Sequence, residues 1–124
     1  MVRRFGRDVT RAYDRAFASV GLTSGQFSIL AMLSEDPVPG LAEIAEILGM
    51  DRTTLLAALK PLERRGLVRS EADPADKRRR PVTLTEQGRA VFESAVPVWA
   101  QAQRELESRF GAGRIRALRR VLSD

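Results

Sequence analysis

Residues 41 to 65 read LAEIAEILGMDRTTLLAALKPLERR, two helical patterns with only three residues between them. Leu41, Ile44, Ala45 and Leu48 fall on one face of the first pattern, while Glu43 and Glu46 point away from it. Gly49 is a natural C-terminal stop. Met50 follows, and Asp51 is a good N-cap for the next helix. In that next helix, residues 52 to 65, Leu55, Leu59 and Leu62 stand at i, i+4 and i+7 and form a core face. Arg52, Thr53, Leu56, Ala57, Lys60 and Arg64 occupy the other side. Pro61 is expected to bend the helix because proline removes a backbone donor. Two short helices joined by a three-residue turn that contains glycine form a helix-turn-helix.

The flanking segments supply the rest of a small domain. Residues 3 to 20 predict an amphipathic helix with Phe5, Val9, Ala12, Ala16, Phe17 and Val20 on its apolar side. Arg4, Arg7, Arg11 and Arg15 form a separate polar stripe, and Gly21 ends the helix. A second helix opens at Thr23, where Gln26 three residues on completes a capping box. Phe27, Leu30 and Ala31 mark its expected buried stripe, and Pro37, Pro39 and Gly40 stop it. After Gly66, LVRSE and PVTL predict two strands of a hairpin whose tip is ADPADKRRR. A long helix follows Thr85 and runs to about Phe110. Its Phe92, Val96, Trp99, Gln103, Leu106 and Phe110 make a heptad-like seam, the pattern of a helix lying along another helix. Pro97 interrupts it. A last short helix, with Ile115, Leu118, Val121 and Leu122 on its buried side, follows residues 111 to 113.

Composition restricts the chemistry. The 124 residues suit one domain able to bury roughly two-thirds of its unfolded surface. With 44% hydrophobic and 30% charged residues, the balance is that of a globular protein. Cysteine and histidine are both absent, which removes thiolate chemistry, the commonest metal ligand and the commonest general base. No enzyme, metal site or cofactor is expected. No apolar run approaches the length of a membrane span, and the N-terminus carries no apolar signal core, so a cytoplasmic location is expected.

The charge is concentrated. Residues 1 to 51 carry 5 basic and 7 acidic side chains, residues 52 to 89 carry 10 and 5, and residues 90 to 124 carry 6 and 4. The central third, at +5, therefore equals the whole net charge of +5. Within it, Lys77, Arg78, Arg79 and Arg80 sit side by side at the hairpin tip, where they repel one another. A polyanion relieves that repulsion. DNA carries about one negative charge per 1.7 Å of axis, and cations that neutralise it release counterions. Such a tip can meet phosphates or enter a narrow minor groove. The order of helices, recognition-type helix and hairpin is that of a winged helix-turn-helix, mainly α with a small β-hairpin wing.

SGQFSILAML, MDRTTL, LKPLERRGLV and DPADKRRRPVTLTEQG, in this order and spacing, resemble the MarR family of bacterial winged helix-turn-helix regulators. The resemblance runs from about residue 21 to 92 and is strongest over 41 to 88. It implies a single domain over residues 1 to 124. Residues 22 to 88 would form the DNA-binding lobe, and residues 1 to 20 and 89 to 124 the terminal dimerisation helices. It also implies a homodimer on a palindromic operator of double-stranded DNA, acting as a repressor. Many members release DNA when a small aromatic or phenolic compound binds. Members that sense oxidants through cysteine or bind zinc are not matched here.

The resemblance places Arg78 as the arginine of an Asp-x-Arg wing motif, in contact with DNA, and Asp76 as the acid that orients an arginine. Arg79 and Arg80 alternate in direction along a strand, so one of them is expected to face DNA beside Lys77. The recognition helix departs from the family pattern at LLAAL, where Leu56 and Ala57 offer only apolar contacts such as thymine methyls. Hydrogen-bonded base reading would then rest on Arg52, Thr53, Thr54 and Lys60. Leu56 has a second reading, as a residue packed on the wing or the core. Tyr13, Phe17 and Trp99 could line a ligand pocket or be ordinary core. For the whole chain the alternative is a winged-helix module that binds a protein instead of DNA, favoured by the apolar strip and disfavoured by the basic wing.

Overall fold

The computed structural model describes residues 2–71, 75, 81–114, 116 and 117, with side chains from residue 6 onward. Helix α1 spans Val2–Phe17 and tightens into a single 3₁₀ turn, Ala18–Val20, so the predicted first helix keeps its extent but not its last-turn geometry. Helix α2 is Ser24–Leu33, α3 is Leu41–Leu48 and α4 is Arg52–Arg64. Strands β1 (Val68–Ser70) and β2 (Val82–Leu84) precede the long helix α5, Glu86–Phe110. The strands are shorter than the predicted LVRSE and PVTL and pair antiparallel, with Val68 opposite Leu84 and Ser70 opposite Val82. Glu71 N–H then donates to the Pro81 carbonyl at 3.2 Å, extending the ladder one step toward the tip. The side chains of Arg4 and Phe5, and the positions Ile115, Leu118, Val121 and Leu122 of the predicted last helix, lie outside the described residues.

The predicted capping box forms. Thr23 Oγ1 accepts from Gln26 N–H at 3.1 Å, and Gln26 Oε1 accepts from Thr23 N–H at 3.0 Å. Asp14 of α1 adds a tertiary cap, accepting from Ser24 N–H at 2.6 Å, so the first helix is tied to the second at its free amides. The buried stripe of α2 differs from the expected Phe27, Leu30 and Ala31. Leu30 is fully buried, but its companions are Ile29 and Leu33, while Phe27 and Ala31 are half-buried. Helix α2 packs against α1, α3, α5 and β2, so it is apolar around most of its circumference and has no single stripe to read.

One core joins the pieces. Phe17, Ile29, Leu30, Leu33, Ile44, Leu55, Leu62 and Leu67 are all at most 1% exposed. A row of rings runs through it: Tyr13 stacks on Phe17, Phe17 on Phe27 at 4.6 Å between centroids, and Phe27 on Phe92 and Trp99. Helix α5 lies along α1, as the seam predicted, but the buried line is Ala95, Ala102 and Leu106. Val96 is 39% exposed, and Phe92, Trp99, Gln103 and Phe110 are half-buried. The buried line thus runs through two small side chains where the seam had placed Val96, Trp99 and Gln103. A second, smaller cluster of Val9 and Leu106 closes the far end of this pair.

The join between wing and α5 is built from two residues of TEQG. Thr85 caps α5, accepting from Gly88 N–H at 3.0 Å, while its hydroxyl donates to the Gly66 carbonyl at 2.5 Å and its N–H to the Leu67 carbonyl at 3.1 Å. Gly88 is buried directly beneath Leu67, with room for a hydrogen only.

Candidate nucleic-acid interface

The turn between α3 and α4 takes the predicted form. Gly49 has φ of 69°, a left-handed conformation that side chains with a Cβ rarely adopt, and its N–H reaches back to Ala45 and Glu46. Met50 N–H donates to the Ala45 carbonyl at 2.9 Å, and Asp51 Oδ1 accepts from Thr54 N–H at 2.7 Å. Hydrogen bonds from the Thr54 backbone and side chain hold the Asp51 carboxyl below its ordinary pKa. Thr54 is exposed but engaged in this cap, which leaves less of it for a partner.

The register of α4 is fixed from beneath. Leu55, Leu59 and Leu62 are 0%, 5% and 0% exposed and enter the core, so the helix cannot roll. At 3.6 residues per turn, Thr53, Ala57, Lys60 and Arg64 then form the outward stripe, with Arg52 and Leu56 along one flank. All six are exposed. Among the described residues, the side chains of Arg52, Thr53, Lys60 and Arg64 take no hydrogen bond or ion pair. A face of this kind, with cations and hydroxyls free of internal partners, can present its donors to an anion or to base edges.

Leu56 stands on the exposed side of α4. It is 41% exposed, whereas its neighbour Ala58 is half-buried and packs on the core. Arg65 also departs from its sequence neighbour Arg64. Its guanidinium turns back to donate to the Gly21 carbonyl at 2.6 Å, tying the end of α4 to the turn between α1 and α2. Nothing in the string ERRG distinguishes the two arginines. Arg69 on the solvent face of β1 is a further cation that the sequence reading passed over. Its one described ion pair, with Glu71 at 3.4 Å, is solvent-exposed and contributes little. Alternation on β1, with Val68 inward, was the available signal.

The predicted wing residues Asp76, Lys77, Arg78, Arg79 and Arg80 lie outside the described residues. Of the proposed pocket residues, Phe17 is 1% exposed within the aromatic row, and Tyr13 and Trp99 are half-buried beside it. No single helix among the described residues is long and apolar enough to cross a membrane.

A three-residue glycine turn, a helix locked by its leucines and a two-stranded hairpin seated on the next helix define a winged helix-turn-helix protein. A sequence model of the MarR family matches residues 22–79. The HTH-type transcriptional repressor Rv2887 of Mycobacterium tuberculosis is 30% identical over 122 residues, 98% of this chain and 88% of the relative. The chain belongs to the MarR family. It is also similar to the transcriptional regulator HosA of Escherichia coli, 37% identical over 90 residues, 71% of this chain, and there it spans 65% of the relative's length. Among solved structures, the M. tuberculosis transcriptional regulator MosR in complex with DNA superposes with a TM-score of 0.81. Its sequence is 41% identical, over 93% of this chain and 84% of that one.

Proposed function

We propose that this chain is a transcriptional repressor that holds a palindromic operator as a homodimer, with α4 in the major groove and the wing on the flanking backbone. The observation that carries the reading is the outward face of α4, where Arg52, Thr53 and Lys60 stand exposed, with no partner among the described residues, above a fixed leucine face. The likeness to a repressor and to a DNA-bound regulator supports it. No catalytic step belongs to this reading.

Selection of bound sequences from a random duplex pool tests it directly: a palindromic motif should emerge, and a pool that stays random would end the proposal. The wing has its own test. Arg78→Ala should weaken binding to all sequences and lower the slope of log affinity against log salt by about one unit, as for one lost phosphate contact. A loss confined to A·T-rich flanks would instead place Arg78 in the minor groove, and an unchanged affinity and slope would remove it from the interface.

The homodimer rests on the terminal helices. Val96, 39% exposed near the middle of α5, and the half-buried Phe110 are apolar groups that a second copy would cover. Sedimentation at micromolar concentration should give about twice the chain mass; a helical monomer would contradict both the dimer and the palindrome. An aromatic effector would enter at the row from Tyr13 to Trp99, which joins α1, α2 and α5, by displacing rings that now stack on each other. A second reading, a protein-binding module, is favoured by the exposed Leu56 and opposed by the cations around it.

A further inference from the structure

We propose that Leu56, assisted by Ala57, reads thymine through its C5-methyl group and is a specificity determinant of the recognition helix. The inference rests on the DNA-binding reading above and goes further by naming the base chemistry. Val38, Ile47, Leu56 and Val96 are the exposed large hydrophobics among the described residues, and Leu56 alone lies on α4. The helix cannot turn it inward, because Leu55 and Leu59 on either side are held in the core at 0% and 5% exposure. Among the large apolar side chains of α4 it has the most surface left open, at 41% exposure. The part of a leucine that stays open to water gains free energy when a partner with an apolar atom covers it.

The surroundings select the partner. Arg52 lies one turn before Leu56 on the same flank and Lys60 one turn after it, so whatever approaches is polyanionic. A protein interface needs a far wider apolar patch than one leucine and one alanine enclosed by cations. In the major groove, the apolar group on a base edge is the methyl of thymine. The geometry therefore sets Leu56 against a methyl where a polar side chain would seek an N or O atom. Ala57 adds only its Cβ, so its share is smaller.

The test uses the full-length protein and duplexes recovered from a random pool. Each thymine is replaced in turn by deoxyuridine, which keeps every hydrogen-bonding atom and removes only the methyl. One thymine per half-site should show a loss of roughly threefold to fivefold, the scale of one buried methyl group. Leu56→Ala should bind the thymine and uracil duplexes equally well. Alanine is a good helix former and the site is exposed, so the variant should keep its helical circular dichroism. A selected motif whose affinity is unmoved by every uracil would overturn the inference while leaving the DNA-binding reading intact. So would a Leu56→Ala variant that weakens both duplexes alike. A pool with no enriched motif would remove both.

Discussion

Replacing Gly88 with alanine should lower the thermal unfolding midpoint by about 10 °C or more, a loss of roughly 3 kcal/mol for a domain of this size. The added Cβ would stand 1.9 Å from the Leu67 carbonyl oxygen and 2.8 Å from its carbon. Both are backbone atoms and neither can swing away as a side chain could. Leu67 is itself fully buried, and its carbonyl accepts from Thr85 N–H, so the neighbour is held on two sides. The usual gain from exchanging glycine for alanine within a helix is under about 1 kcal/mol and is outweighed here. Gly25 in α2 is the control. A Cβ there meets only Thr23 Oγ1, at 3.9 Å, so Gly25→Ala should leave the midpoint unchanged or raise it slightly. Thermal unfolding followed by circular dichroism compares the two variants. A Gly88→Ala protein as stable as wild type would mean that α5 can lift from the wing without cost.

The positions that sequence reasoning placed correctly are those where one residue decides the local geometry. Thr23 with Gln26, Gly49 and Asp51 each satisfy or redirect backbone groups within a few residues, so their consequences are local and readable. The leucine face of α4 was equally legible, since a spacing of four and three fixes one side of a helix. What escaped was set by elements distant in the chain. The buried set of α2 depends on four neighbours that surround it. The buried line of α5 runs through Ala95 and Ala102 and leaves Val96 exposed, because α1, α2 and β2 all pack on this helix. Arg65 was invisible as a tie because its acceptor, the Gly21 carbonyl, lies 44 residues away in the chain. In the candidate interface the split was the same: the exposed face of α4 followed from its period, but whether Leu56 faced solvent or the core did not.

Arg52→Ala should relax the preference at one base pair in each half-site, with a loss of discrimination of roughly 1–3 kcal/mol there. Arg52 is the first residue of α4, directly after the Asp51 cap, and the N-terminal end of the second helix is the part that contacts base edges in this motif. It is exposed, and no described acidic group holds its guanidinium. A guanidinium in that place can donate two parallel hydrogen bonds to guanine O6 and N7, a pattern that no other base pair offers at the same position. Alanine retains the helix and the cap, because Asp51 bonds the Thr54 amide and does not depend on the Arg52 side chain. The loss should therefore appear as altered selectivity, and the fold should be unaffected. The measurement is affinity for a panel of single-base operator variants. If the variant loses the same factor on every duplex, Arg52 is a phosphate clamp, and base reading passes to Thr53 and the apolar pair beside it.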